Sequence, residues 1–213
     1  MREIKKAFFE IVDTKNERIP WLIKEFVVPL CPFMSDIATE LAKLHTLTGA
    51  DYSRQVERIA QMGVFHPLEG EIDILIAGGE QHADFGNLLN AARKAVTHGY
   101  KVYILPNPKG IRTADFIFEY KRIYVVYDLK TVQGKGSAGT RLLESIGQSN
   151  RILLHMATNY NARLLASDIR MYFEANDKAL EVLIFKGKKK LSVTRRFTMN
   201  PMFNRLFRKV YEK

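Results

Sequence analysis

The chain has 213 residues, 46% of them hydrophobic and 26% charged, and a formal net charge of +10. These values are typical of a globular protein that is long enough to bury a core. Cys31 is the single cysteine, which excludes a disulfide framework and a cysteine-based zinc site and permits a reducing compartment.

No segment predicts export or a membrane span. In the N-terminal stretch, Glu10 and Asp13 interrupt the apolar run that a signal peptide needs. The stretch 21–33, WLIKEFVVPLCPF, contains two charges and two prolines and is therefore no transmembrane helix. We expect a soluble, cytoplasmic protein with no membrane partner.

Most of the positive charge lies in one basic segment at 186–213. This segment holds ten Lys or Arg residues and a single acid, Glu212. A clustered basic patch suits a polyanion such as nucleic acid. A solvated tail that aids solubility is the alternative, and composition alone leaves both open.

Hydrophobic periodicity and turn residues predict the elements in chain order. Residues 1–62 are predicted to be helical and 63–71 to be a linker. The later predicted elements are a strand at 71–79, helix 84–99, strand 101–105, turn 106–110, a hairpin at 114–130, helix 140–151, strand 151–156, helix 161–176 and a hairpin at 180–197. We therefore divide the chain into a helical section, 1–66, and an α/β domain with a mixed sheet, 71–213.

The predicted hairpin carries an unusual pair of acids. Its arms are ADFIF (114–118) and IYVVYDLK (123–130), joined by a turn EYKR (119–122). The two arms are rich in β-prone residues, and plausible turns place Asp115 opposite a residue between Val126 and Asp128. Asp128 and Lys130 are two apart and share one face of their strand. Two carboxylates beside aromatic residues are costly without a cation, so a divalent metal is the natural candidate.

This stretch resembles the PD-(D/E)xK nuclease signature, in which an acid is followed after a gap by acid, any residue and lysine. Here it stands as Ala114-Asp115, then Asp128-Leu129-Lys130, with Ala114 in place of the proline. From residue 80 the predicted order begins helix, strand, strand, strand, helix, strand, which is the αβββαβ core of restriction-endonuclease-like nucleases. Over roughly 71–197 the chain is also similar to the C-terminal tRNA-nuclease domain of CdiA-type contact-dependent growth-inhibition toxins, whose relatives occur in phage and mobile-element proteins.

The resemblance implies a metal-dependent nuclease and its site. It implies Mg²⁺ or Mn²⁺, with Zn²⁺ as the alternative, held by the Asp115 and Asp128 carboxylates and the Leu129 carbonyl. Lys130 would orient water or stabilise the phosphate. The third acid is Glu80 or Asp84, with Glu80 preferred because Asp84 is equally explained as a helix N-cap.

Further residues are expected to contact the substrate. Gln148 is expected at the end of the helix after the Asp-x-Lys motif, where it would touch substrate or metal-bound water. The expected nucleic-acid contacts are Thr131, Lys188, Lys189, Lys190, Arg195 and Arg196. The resemblance favours RNA, and tRNA in particular, over DNA, and it implies an immunity protein as partner if the chain is a toxin.

Three alternatives stay open at the level of sequence. One is a metal-independent ribonuclease of the barnase–EndoU–colicin type, using Lys130, Thr131 and a histidine. Another is a DNA endonuclease of a phage or mobile element with the same metal site. The last is a non-catalytic phage structural or assembly protein that retains the nuclease fold.

Overall fold

The computed structural model describes residues 31–78, 84–134 and 138–213. These residues form seven helices and eight strands. The elements are α1 Cys31–Lys43, α2 Gly49–Ala60, β1 Phe65–Leu68, β2 Glu71–Ala77, α3 Phe85–Thr97, β3 Lys101–Ile104, β4 Phe116–Tyr120, β5 Ile123–Val132, α4 Ala138–Glu144, β6 Arg151–Met156, α5 Ala162–Ala175, β7 Glu181–Lys186, β8 Lys189–Thr194, α6 Arg195–Thr198 and α7 Phe203–Glu212. No described helix has the length and apolarity needed to span a bilayer.

All eight strands form one mixed sheet in which their spatial order is their order in the chain. The pairs β2–β3, β5–β6 and β6–β7 are parallel, and the other pairs are antiparallel. Each parallel pair is joined by a helix, as a crossover connection requires. The run α3, β3, β4, β5, α4, β6 confirms the predicted mixed α/β class and the predicted αβββαβ order.

β5 is the longest strand and links the two halves of the sheet, because it pairs antiparallel with β4 and parallel with β6. Its side chains alternate between two faces. Tyr127 and Leu129 belong to the core beneath α3, whereas Val126 packs with α1 and α2 and Val132 packs with α4 and α5. Asp128 and Lys130 share the face of Val126 and Val132, between these two helical layers.

The helices α1 and α2 pack against the sheet. Ile37, Val56 and Ile59 share a buried cluster with Ile117 and Val126 of the central strands. Residues 34–213 accordingly form one compact unit, which differs from the predicted division near residues 66–71. The prediction of a linker at 63–71 is wrong, because these residues contain β1, which pairs with β2 across the turn at Gly70 and forms one edge of the sheet.

The central hairpin is tighter than predicted. β4 extends to Tyr120 and β5 starts at Ile123, so only Lys121 and Arg122 form the turn, and not the four residues 119–122. Both turn residues have positive φ, 52° and 62°, as the twist of a two-residue hairpin demands. This turn sets the register, in which Phe116 faces Tyr127 and Phe118 faces Val125.

Two further predictions are corrected toward the C-terminus. The helix predicted at 140–151 runs over Ala138–Glu144, so Gln148 lies beyond it in a turn. The basic segment is largely folded: after β7 and β8 it forms α6 and α7. Helix α7 buries Phe203, Phe207 and Tyr211 against the core of α5, and its charged residues take the other face.

Candidate active site

Asp115 lies directly opposite Asp128 at the end of the β4–β5 hairpin. The observed register continues from Phe116↔Tyr127 to this pair. The Asp115 amide donates to the Tyr127 carbonyl at 3.2 Å, and its own carbonyl accepts from the Leu105 amide at 2.9 Å. Its Oδ2 accepts from the Leu129 amide at 2.7 Å, so a side chain continues the ladder where backbone pairing ends. The Asp115 carboxylate is therefore fixed across the strand end.

The Asp128 side chain is buried, and the residue is 3% exposed. Burial, and then the charge of Asp115, raise the pKa of Asp128 to about 7, while the nearby Lys130 ammonium acts in the opposite direction. Lys130 Nζ lies 2.8 Å from Asp128 Oδ2 and forms an ion pair with it.

Lys130 joins the acid pair to the turn after α4. Its ammonium donates to Gln148 Oε1 at 2.8 Å and forms the ion pair with Asp128. The side chain is 16% exposed, so the ammonium is held in place by partners on both sides. Gln148 thus contacts Lys130 from a turn and not from a helix, and its contact with substrate or metal-bound water stays a prediction.

These residues line an open cleft of about 690 Å³ at the end of the sheet, here named the catalytic cleft. Asp84 and Asn87 contribute from the start of α3, and Arg141 contributes from α4. Arg112 lines the cleft from the loop that precedes Asp115. The sequence interpretation missed both arginines, although Arg112 stands three residues before Asp115 and Arg141 lies in the helix after the Asp-x-Lys motif.

The third acid is not placed beside the pair. Glu80, the preferred candidate, lies outside the described residues. Asp84 stands at the N-cap position of α3, makes no capping hydrogen bond with its side chain and lines the catalytic cleft. Over 31–78, 84–134 and 138–213, no three His, Cys, Asp or Glu side chains are close enough together to hold a metal ion.

The donors that are present still fit a hard divalent cation. Two carboxylates meet at one strand end, and one of them, Asp128, is buried. Mg²⁺ takes such oxygen ligands and is commonly bound by one or two carboxylates together with water and substrate phosphates. Carboxylate oxygens of this kind suit Mg²⁺ or Mn²⁺.

The predicted nucleic-acid residues fall into two places. Thr131 lines the catalytic cleft, next to Lys130. The lysines belong to the β7–β8 hairpin, where Lys188 is exposed and Lys190 Nζ lies 3.2 Å from the Tyr100 hydroxyl and 4.6 Å from the centre of its ring. Tyr100 follows α3, so this contact is at the opposite end of that helix from Asp84. Thirteen residues of helix separate the two ends, a length of about 20 Å.

Arg195 and Arg196 differ from each other in their surroundings. The Arg195 guanidinium donates to the Phe173 carbonyl at 2.8 Å and to the Asn176 carbonyl, and it also lies over the Phe173 ring. It therefore closes the C-terminal end of α5, where carbonyl groups lack helical partners. Arg196 is exposed.

No known family and no curated protein matches this chain. Among solved structures, a match is the structure described as a "CdiA-CT/CdiI toxin and immunity complex from Burkholderia pseudomallei". The similarity covers 56% of this chain and 98% of that chain, with 14% sequence identity and a TM-score of 0.41. At that identity and TM-score the match implies nothing about activity or partners.

Proposed function

We propose that this protein is a metal-dependent nuclease that hydrolyses phosphodiester bonds in the catalytic cleft. One observation carries the proposal: the hairpin register sets Asp115 opposite Asp128, and Lys130 is held between Asp128 and Gln148 beside them. Phosphodiester hydrolysis needs charge stabilisation and an activated water, and carboxylates with a cation and a lysine are suited to both.

Asp115 and Asp128 would hold the Mg²⁺ or Mn²⁺ ion, with the Leu129 carbonyl and either Glu80 or Asp84 as further ligands. When bound, the ion supplies a Lewis acid for the phosphate and lowers the pKa of a coordinated water. Asp128 contributes a buried charge whose pKa is raised in the free protein, so a cation is favoured beside it. The Leu129 amide keeps the Asp115 carboxylate oriented.

Lys130 would act on the phosphate from the protein side. Gln148 and Asp128 restrict its ammonium to one place, so little rotamer entropy remains to be lost when substrate binds. An ammonium there can stabilise the charge that develops on the nonbridging phosphate oxygens. Arg112 and Arg141 line the same cleft and are suited to neighbouring phosphates.

The substrate that we propose is RNA, with tRNA favoured on the sequence resemblance. DNA is the second candidate, because the same residues can cleave either backbone. The decisive experiment incubates purified protein with Mg²⁺, Mn²⁺ or Zn²⁺ and tRNA, single-stranded RNA, single-stranded DNA and duplexes. We expect cleavage with Mg²⁺ or Mn²⁺, and loss of cleavage in EDTA and in Asp128→Asn.

Cleavage that persists in EDTA would contradict the proposal and favour the metal-independent ribonuclease. In the described part of the chain no histidine lines the catalytic cleft, whereas His82 lies outside that part. No cleavage of any substrate by the folded protein would favour the non-catalytic structural or assembly role. If the Asp128→Asn protein cleaves like wild type, Asp128 is not required and cleavage takes place at another site.

A toxin role, with an immunity protein as partner, is the finer form of this proposal and follows from the sequence resemblance. It is tested by inducible expression in bacteria. Wild type should stop growth and the Asp128→Asn variant should not. Equal growth with both proteins, at equal soluble expression, would argue against a toxin while leaving the nuclease proposal standing.

A further inference from the structure

A second cleft of about 640 Å³ adjoins the catalytic cleft. The two clefts share three lining residues, Arg112, Thr113 and Gln148, so they are continuous across the loop before Asp115 and the turn after α4. We name the second cleft the side groove. Its volume falls in the range of small-ligand sites.

The apolar lining of the side groove comes from segments that are far apart in the chain. Leu44 and Leu47 line it from the connection between α1 and α2, together with the half-buried Tyr52 from α2. Ile146, 36% exposed, and Leu180, 48% exposed, form its exposed wall, from the turn after α4 and from the connection between α5 and β7. Large apolar side chains that remain exposed inside a concave surface indicate a binding site.

Polar groups complete the groove near the catalytic cleft. Gln148, Ser149 and Asn150 are consecutive and all line it. Arg112 is exposed at the boundary, and His45 Nε2 donates to its carbonyl oxygen at 2.6 Å, which ties the loop to the α1–α2 connection. The charges of Asp177 and Lys178 at the rim are of opposite sign.

We propose that the side groove binds one unpaired nucleoside next to the phosphate that is cleaved, with Arg112 on the connecting phosphate. This inference rests on the proposed nuclease function and adds its substrate class, a single-stranded or unstacked region of nucleic acid. Apolar and aromatic walls suit the faces of a base, and amide and hydroxyl groups suit its edges. A base held in a duplex cannot enter, because its faces and its pairing edge are already occupied.

The test separates base contacts from backbone contacts. Binding is measured by fluorescence anisotropy in the Asp128→Asn background, so that no substrate is cleaved. The probes are a labelled 12-nucleotide single strand, as RNA and as DNA, a fully abasic strand of equal length and charge, and a duplex. The Asp128→Asn protein, which is the parent of the variants below, should bind the base-containing strand more tightly than either the abasic strand or the duplex.

The variant Ile146→Ala/Leu180→Ala removes the exposed wall without touching the core. We expect it to bind the base-containing strand about tenfold more weakly, since contacts to a base are of that order, and to bind the abasic strand as before. The matched control is Met171→Ala, which removes an exposed apolar side chain on α5 outside both clefts and should change neither affinity. With Asp128 restored, the double variant should raise KM by a similar factor and change kcat less than about twofold.

Equal binding of base-containing and abasic strands by the parent would overturn the proposal. So would a double variant that loses affinity for both strands equally, or a duplex that binds as tightly as the single strand. Base-dependent binding that the double variant loses, in a protein that cleaves nothing, would support the side groove and refute the nuclease. Cleavage without base-dependent binding would support the nuclease and refute the side groove as a site for a base.

Discussion

Asp128 is the residue of the site whose charge is the least favourable in the folded protein. It is a buried carboxylate next to a second carboxylate, and the single ammonium beside it is shared with Gln148. Such an arrangement lowers the stability of the protein, and a bound cation would offset that cost. We therefore expect substitutions at the residues around it to change the stability of the protein and the proposed cleavage.

The first prediction concerns pH. The pKa of Asp128 rises from its ordinary value near 3.8 to about 7 in the folded protein, so the folded state holds this proton more tightly than the unfolded state. The contribution of this protonated carboxyl to the free energy of unfolding is complete below about pH 4 and is lost as pH rises toward 7. In EDTA, Asp128→Asn should therefore gain in melting temperature relative to wild type between pH 4 and 7. Circular dichroism melts measure this difference, and a difference that does not vary with pH would contradict the pKa shift.

The second prediction concerns Lys130 and Gln148. Lys130→Ala should lower kcat by at least about a hundredfold, because it removes the charge that faces the phosphate. Gln148→Ala should lower kcat by about tenfold, because the ammonium remains but loses one of its two partners. Lys109→Ala is the matched control, an exposed lysine outside the catalytic cleft, and should leave kcat unchanged. Equal effects of Lys130→Ala and Lys109→Ala on kcat would show that Lys130 takes no part in cleavage.

At the scale of elements, the β4–β5 hairpin is the feature that makes the site. Its two-residue turn fixes which residue of β5 faces Asp115, and a shift by one residue would turn Asp128 to the opposite face relative to its partner. The turn is nevertheless built from two residues, Lys121 and Arg122, that are poor at positive φ. The register is therefore maintained by the flanking β-prone strands and by the core residues Phe116 and Phe118.

The third prediction is that an Asn-Gly turn stabilises this hairpin. Lys121→Asn/Arg122→Gly supplies residues that adopt left-handed backbone at low cost and should add about 1 kcal/mol to the free energy of unfolding, about 2–4 °C in melting temperature. Cleavage should not change, because the register is kept. The same Lys→Asn exchange at Lys109, whose φ is not positive, should have no such effect. A lower melting temperature in the turn variant would show that the turn side chains contribute contacts of their own.

At the scale of the whole molecule, positive charges lie in the catalytic cleft and also outside it. Arg112 and Arg141 are at the cleft, at the start of α3, and the lysines of the β7–β8 hairpin are near its other end, about 20 Å away. About six base pairs of duplex cover that distance at about 3.4 Å each. Short and long substrates should therefore contact different sets of these basic residues.

The fourth prediction follows from this spacing. Replacing Lys188, Lys189 and Lys190 by Ala should flatten the salt dependence of binding for a duplex region of about eighteen base pairs, by about 0.9 in log–log slope for each phosphate that the variant no longer neutralises. A stem-loop of about five base pairs in the catalytic cleft should show an unchanged slope, because it is too short to reach these lysines. Titrations at several salt concentrations measure both slopes.

Arg195→Ala serves as the contrasting variant in that experiment. Its guanidinium is engaged by the Phe173 and Asn176 carbonyls, so its removal should lower the melting temperature and leave the salt slope as it was. An unchanged slope of the lysine variant on the long duplex would show that these lysines bind no phosphate.

The sequence by itself determined seven of the eight described strands, most of the described helices and the identity of the two acids and the lysine. Alternation with a period of two places Asp128 and Lys130 on one face, and β-prone arms around a charged turn predict the hairpin. The helices that are well patterned, such as α3 and α5, were found within a few residues of their ends. These features are local, because each depends on residues that are neighbours in the chain.

Only the tertiary structure decided the rest. The sequence allowed three partners for Asp115, and the turn geometry and the core beneath β4 selected Asp128. The approach of Gln148 to Lys130, the arginines in the catalytic cleft and the packing of α1 and α2 on the sheet join residues far apart in the chain. Such contacts depend on how a twisted sheet and its helices bury apolar surface together. The periodicity of a single segment does not predict this packing.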